Sequence, residues 1–221
     1  MSHRDAEPGP GRPVVLLHGA LRSPLGLWPT ARWLRRRGLD AAAFGYPTRR
    51  GLLRDHGDAL ARWIESRHPS RVPVLGFLTH SMGGLVVRAF LERHAGRHAE
   101  RYRVVMLSPP NRGAALAERN LGNPLMRWLY GDAAEQLRPG SVQAMPGLPA
   151  VAEALVLAGG RGDGRGYNPL IAGDDDGVVG VDEMGLPGVE PELIGGLHAF
   201  LQWRPRVLER AAGFLAQEGP P

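Results

Sequence analysis

A hydroxyl becomes a useful nucleophile when a base removes its proton and a carboxylate orients that base. The stretch LTHSMGGLV (78–86) places Ser81 where an apolar run gives way to a helical pattern. It falls one residue short of G-x-S-x-G, with Thr79 in place of the first glycine. A strand turning directly into a helix at Ser81 would hold the backbone in a strained bend, lift the hydroxyl out of the sheet and set a helix N-terminus beneath it. Gly83 and Gly84 supply the small residues such a turn needs on one side; Thr79 crowds the other. The competing reading makes Ser81 an N-cap, a position serine favours in any case.

The partners of such a serine follow in the order acid, then histidine. Eight histidines are present, and His198 is the only one beyond residue 98. It follows a short strand expected at 191–195 and a Gly-Gly pair, which suits a loop histidine swinging over a sheet edge. His56, His68, His94 and His98 lie on Arg-rich helical segments and are expected at the solvated surface. The acid is expected in AGDDDGVVGVDE (172–183). Asp176 is preferred because it precedes the extended GVV; Asp174, Asp175 and Asp182 are alternatives, and Asp163 lies in the long excursion before them. The same stretch half matches a calcium loop through Asp174, Asp176, Gly177 and Glu183. Ala172 stands at its first ligand position, however, so no metal is expected. A tetrahedral intermediate also needs two N–H donors. Met82, after the serine, supplies one candidate; Ala20, after LLHG (16–19), supplies the other, with Gly19 allowing close approach and His18 bracing the loop.

The elements that must position these groups alternate between strand and helix patterns. Strands are expected at 14–17, 39–46, 72–80, 102–108 and 153–159, and helices at 24–38, 52–68, 82–95 and 204–217. Met82, Leu85, Val86, Ala89 and Phe90 make one apolar stripe. Strands apolar on both faces argue for a mostly parallel sheet of about six strands with helices on both sides, an α/β class in which reactive loops follow the carboxyl ends of strands. Every motif above falls at such an end. Residues 1–12 read as a polar tail and 13–221 as one domain.

The 221-residue chain has no cysteine, which removes disulfides, thiolate metal sites and a thiol nucleophile. All 27 basic residues are arginine, giving a net charge of +5. With abundant Ala, Gly and Pro this points to compositional bias, so RRR (35–37) and RR (49–50) read as solvated faces rather than a nucleic-acid surface. No apolar run is long enough to span a bilayer, the N-terminal segment lacks the apolar core of a secretory signal, and a cytoplasmic location is the default expectation.

Taken in order, VVLLHGA, THSMGGLVVRAFL, VVMLSPPNRGA, DDDGVVGVDEMGLPG and LHAFLQWRPRVLERAAGFL resemble α/β-hydrolases of the lipase and esterase type. They look most like small bacterial lipases related to the GPI-inositol-deacylase group. The resemblance spans residues 13 to about 216. It implies the α/β-hydrolase fold, with Ser81 as nucleophile, Asp176 as acid and His198 as base. It also implies Ala20 and Met82 as oxyanion donors, a small-molecule or lipid ester as substrate, and no cofactor. In such families the first elbow glycine is often Ala or Thr. Residues 113–150 form the sizeable insertion beside the site; Leu125, Trp128 and Leu129 within it, together with Leu21, are expected to line the substrate pocket. Thioesterase, amidase and acyltransferase chemistry share this machinery. A non-catalytic relative and an Arg-driven nucleic-acid binder are the readings from other classes.

Overall fold

The structure, a computed structural model, describes residues 11–119 and 131–217. Six strands form one all-parallel sheet: β1 (Arg12–Leu17), β2 (Leu39–Phe44), β3 (Val72–His80), β4 (Ala99–Leu107), β5 (Ala152–Ala158) and β6 (Glu192–Leu193), in spatial order β2-β1-β3-β4-β5-β6. The order reverses beside β1, so the loops after β1 and β3 open onto the crevice where such sheets bind ligands.

The period-two alternation of each strand divides the core between two faces. Val14 and Leu16 point to one side, where Leu34 of α1 (Trp28–Arg35) and Val207, Ala211 and Leu215 of α8 (Pro205–Ala216) cover them. Val15 and Leu17 point to the other, under Leu60 and Ile64 of α2 (Leu53–Arg67) and Val86 and Phe90 of α3 (Met82–His94). All five residues of the expected α3 stripe are buried there, and so are Val87 and Leu91, because this central helix is wrapped on nearly every side. Gly57 interrupts the helical pattern of α2 for a packing reason: a Cβ there would lie 2.8 Å from the Phe90 nitrogen, so only glycine lets α2 and α3 cross so closely. A 3₁₀ turn (Pro24–Leu27) leads into α1, and a second one (His198–Trp203) leads to α8. Short helices α4 (Ala115–Arg119), α5 (Asp132–Gln136) and α6 (Pro139–Gln143) occupy the insertion, and α7 (Val181–Met184) follows the acidic loop.

Three expectations are corrected. Arg12, assigned to the tail, opens β1, and its guanidinium donates to the Leu215 and Gln217 carbonyls. The last strand is two residues long rather than five. His56 and His98 are buried, not solvated: His56 packs against the Tyr46 ring and His98 against Phe90. Helical Arg-rich context misled here, because each histidine sits on the core side of its segment.

Candidate active site

β3 ends at His80 and α3 begins at Met82, leaving Ser81 alone to make the turn. Its backbone sits at φ 53°, ψ −125°, a region that side chains with a Cβ rarely adopt. An N-cap residue lies in the extended region and bonds its side chain to the helix; Ser81 does neither. The capping reading therefore fails, and the Ser81 side chain is left facing a cavity of about 440 Å³. Thr79 fits because its hydroxyl donates back to the Val105 carbonyl (3.2 Å). The loop after β1 comes so near that a Cβ on Gly19 would stand 2.9 Å from Ser81 Cβ. Ala20 lines the same cavity. Met82, as the first residue of α3, carries an N–H with no acceptor inside the helix.

His198 and Asp176 meet at this cavity rim from different loops. His198 Nδ1 donates to Asp176 Oδ2 at 2.6 Å, and the His198 N–H donates to the Asp176 carbonyl at 2.9 Å. In the neutral ring, with Nδ1 as donor, Nε2 is the free acceptor. His198 and Ser81 both line the cavity; among the described residues no hydrogen bond joins hydroxyl to ring. The other oxygen of Asp176, Oδ1, accepts the Val178 and Val179 N–H groups (3.0 and 2.8 Å). Burial pushes this carboxyl up, but His198, the Ser108 hydroxyl and the Val179 N–H outweigh it and hold it below the usual carboxylate range.

The neighbouring aspartates have other duties. Asp174 accepts the Arg161 and Gly162 N–H groups, and Asp175 those of Asn168 and Gly177. Asp182 is exposed, and Asp163 pairs with Arg161 at the surface. The long excursion before Asp176 is thus folded by its own acidic run, which delivers one carboxylate to the histidine. Glu183 accepts the Gly180 and Ala115 N–H groups, so the carboxylates with calcium-loop spacing turn toward separate donors.

Two residues were missed from sequence. His80, inside the serine motif, is buried, and its Nε2–H donates to the His198 carbonyl at 2.9 Å. Burial, then the nearby His198 ring, push it down to about 3, so it stays neutral. Ser108, at the end of β4, is fully buried at φ 43°; its Oγ accepts the Gly159 N–H (3.0 Å) and bonds Asp176. The available signal was position: both stand at carboxyl ends of strands, where reactive loops were expected. His18 braces its loop as anticipated, with Nδ1 3.0 Å from the Gly19 carbonyl oxygen and its ring stacked on Tyr46. Leu21 lines the cavity, while Leu125, Trp128 and Leu129 lie outside the described residues.

Solved structures with this architecture are numerous. Lipase BlEst2 of Bacillus licheniformis, in its mature form, matches with a TM-score of 0.70 and 23% identity over 87% of this chain and 86% of its own. A metagenomic carboxyl esterase matches with a TM-score of 0.69 and 18% identity over 94% and 71%. The NocB thioesterase domain, crystallised as a covalent fluorophosphonate complex, matches with a TM-score of 0.57 and 20% identity over 95% and 96%. The chain has the α/β-hydrolase fold. No protein-family model and no curated protein matches it. Among the described residues no helix is long and apolar enough to cross a membrane.

Proposed function

We propose that the chain is a serine carboxylic-ester hydrolase acting through an acyl-enzyme. Ser81 Oγ attacks the ester carbonyl carbon while His198 Nε2 takes its proton, and Asp176 holds the resulting imidazolium through Nδ1–H. The Ala20 and Met82 N–H groups receive the oxyanion. Collapse expels the alcohol, which takes the proton from His198; a water then repeats the cycle on the acyl-enzyme and releases the acid. His80 and Ser108 position the histidine and the carboxylate, respectively.

The observation that carries this reading is the strained turn at Ser81, whose side chain caps nothing and faces the cavity lined by the Asp176-bound His198. Strain retained at a non-glycine residue points to function when the fold has no structural use for it. The cavity wall is mainly apolar, with Pro110, Ala114, Leu137 and Val179, and suits an acyl chain. The lipase and esterase identities of the structural neighbours agree with this choice. The kinship with the GPI-inositol-deacylase group rests on the sequence segments alone.

The test is turnover of p-nitrophenyl esters of increasing chain length, with thioesters of the same acyl groups as a second arm. Ser81→Ala is expected to lose about 10⁶-fold in kcat. Ester turnover within about tenfold of the parent in Ser81→Ala would overturn the proposal.

A further inference from the structure

Arg22 lines three depressions, the first of which also contains Ser81. The first is the apolar cavity already described. The second, about 350 Å³, lies among His18, His80, Gln202 and Trp203. The third, about 480 Å³, is bordered by Tyr46, Thr48, Arg49 and Arg50. Among the described residues no aspartate or glutamate lines any of the three. Arg22 takes part in none of the ion pairs formed among the described residues.

Its placement is built rather than incidental. Leu21, just before it, is held at φ 59° with its N–H donated to Thr48 Oγ1 (3.1 Å), and the Arg22 N–H closes a turn onto the Gly19 carbonyl (3.3 Å). Left-handed backbone at a leucine is costly, and the loop uses it to bring Arg22 to the cavity junction. There the guanidinium carbon sits 5.9 Å from the Trp203 ring centroid. A half-buried guanidinium without a carboxylate partner keeps its forked donors available, and that fork matches carboxylate and phosphate oxygens. Arg50 adds positive charge at the third depression, which raises the local concentration of anions.

We propose that Arg22 recognises an anionic group, carboxylate or phosphate, on the alcohol half of the ester. The acyl half then lies against the apolar wall of the first cavity, formed by Pro110, Ala114, Leu137 and Val179. This assignment rests on the ester-hydrolase reading above and narrows its substrate class. Charge on the alcohol half fits the surroundings: the first cavity has an apolar wall, and Arg22 joins it to two further depressions lined by no aspartate or glutamate among the described residues.

The experiment compares butyrate esters of phenol, 4-hydroxybenzoate and 4-hydroxyphenyl phosphate, with monophenyl succinate carrying the charge on the acyl half instead. Differences in intrinsic reactivity cancel when each anionic-to-neutral ratio of kcat/KM is compared between the parent and Arg22→Met. A charge-assisted hydrogen bond in a half-exposed site predicts that the ratio for the anionic alcohols falls about tenfold in Arg22→Met. Arg22→Lys, which keeps the charge but not the fork, is expected to fall less. The parent's preference should shrink at about 1 M salt. The larger of the carboxylate and phosphate losses names the anion. Ratios unchanged within about twofold, or a loss confined to monophenyl succinate, would overturn the proposal. Calorimetric binding of 4-hydroxyphenyl phosphate to Ser81→Ala, with and without Arg22→Met, separates it from the hydrolase reading. If the parent hydrolyses no ester, that reading fails alone: weaker binding in the double variant supports the anion site, and equal binding overturns it.

Discussion

Replacing Ser81 by glycine and by alanine should give two inactive proteins of different stability, with an order opposite to the usual one. At φ 53°, ψ −125° a residue with a Cβ is strained by about 1–3 kcal/mol. Alanine keeps the Cβ and therefore the strain. Glycine relieves it, at a cost of about 0.4–1 kcal/mol in extra freedom of the unfolded chain. The difference leaves Ser81→Gly more stable than Ser81→Ala by about 1 kcal/mol. For a chain of this length that corresponds to about 2–4 °C in Tm. Reversible thermal and urea melts followed by circular dichroism supply the numbers. Arg62, exposed in the middle of α2, provides the internal control. There glycine should be less stable than alanine by about 1 kcal/mol, as in any ordinary helix. If Ser81→Ala melted at or above Ser81→Gly, the turn would not be strained, and the argument from strain to function would be lost.

Asp176→Asn should lower kcat by about 10⁴-fold, as expected when a triad carboxylate loses its hold on the histidine tautomer. Asp174→Asn and Asp182→Asn should remain within about tenfold; a larger loss at either in ester kinetics would move the acid role. Ser108→Ala removes a buried hydroxyl that serves both Asp176 and the Gly159 N–H, and should cost about 2 kcal/mol in urea melts at neutral pH. Asp176 is depressed in the folded state, so its contribution is present above the ordinary carboxylate range and is lost as pH falls through its lowered value. The Ser108→Ala deficit should therefore shrink in strong acid, and a deficit independent of pH would rule out the bond to the carboxylate as its source. His80, also depressed, takes up a proton more readily when unfolded. Tm should therefore fall as pH drops below about 6.5. That fall should be smaller in His80→Gln; an unchanged slope would show that His80 does not stay neutral in the fold.

The fold was readable because β1, β4 and β5 carry the short aliphatic runs VVLL, VVML and ALVLA, and a glycine or proline follows each long helix within three residues. Type, order and loop position single out Ser81, Asp176 and His198 as candidates, and the structure brings Asp176 and His198 into contact at the cavity that Ser81 lines. The extended GVV after it favours Asp176; that the N–H groups of the excursion at 160–171 occupy Asp174 and Asp175 follows only from its folded path. Ser108 and His80 act through bonds spanning 68 and 118 positions, which no local pattern encodes. His56 and His98 were misplaced for a related reason: which way a histidine faces, on α2 for His56 and in the turn before β4 for His98, depends on packing, and arginines nearby say nothing about it. Arg22 was hidden in an arginine-rich composition, where one more arginine carries no signal until its surroundings are seen.

Labelling with a fluorophosphonate, followed by peptide mass spectrometry, most directly asks whether His198 activates Ser81. One adduct on Ser81 is expected in the parent, absent in Ser81→Ala and formed far more slowly in His198→Ala. A folded parent that takes up no label at Ser81, or an adduct on Ser81 that forms equally fast without His198, would contradict it.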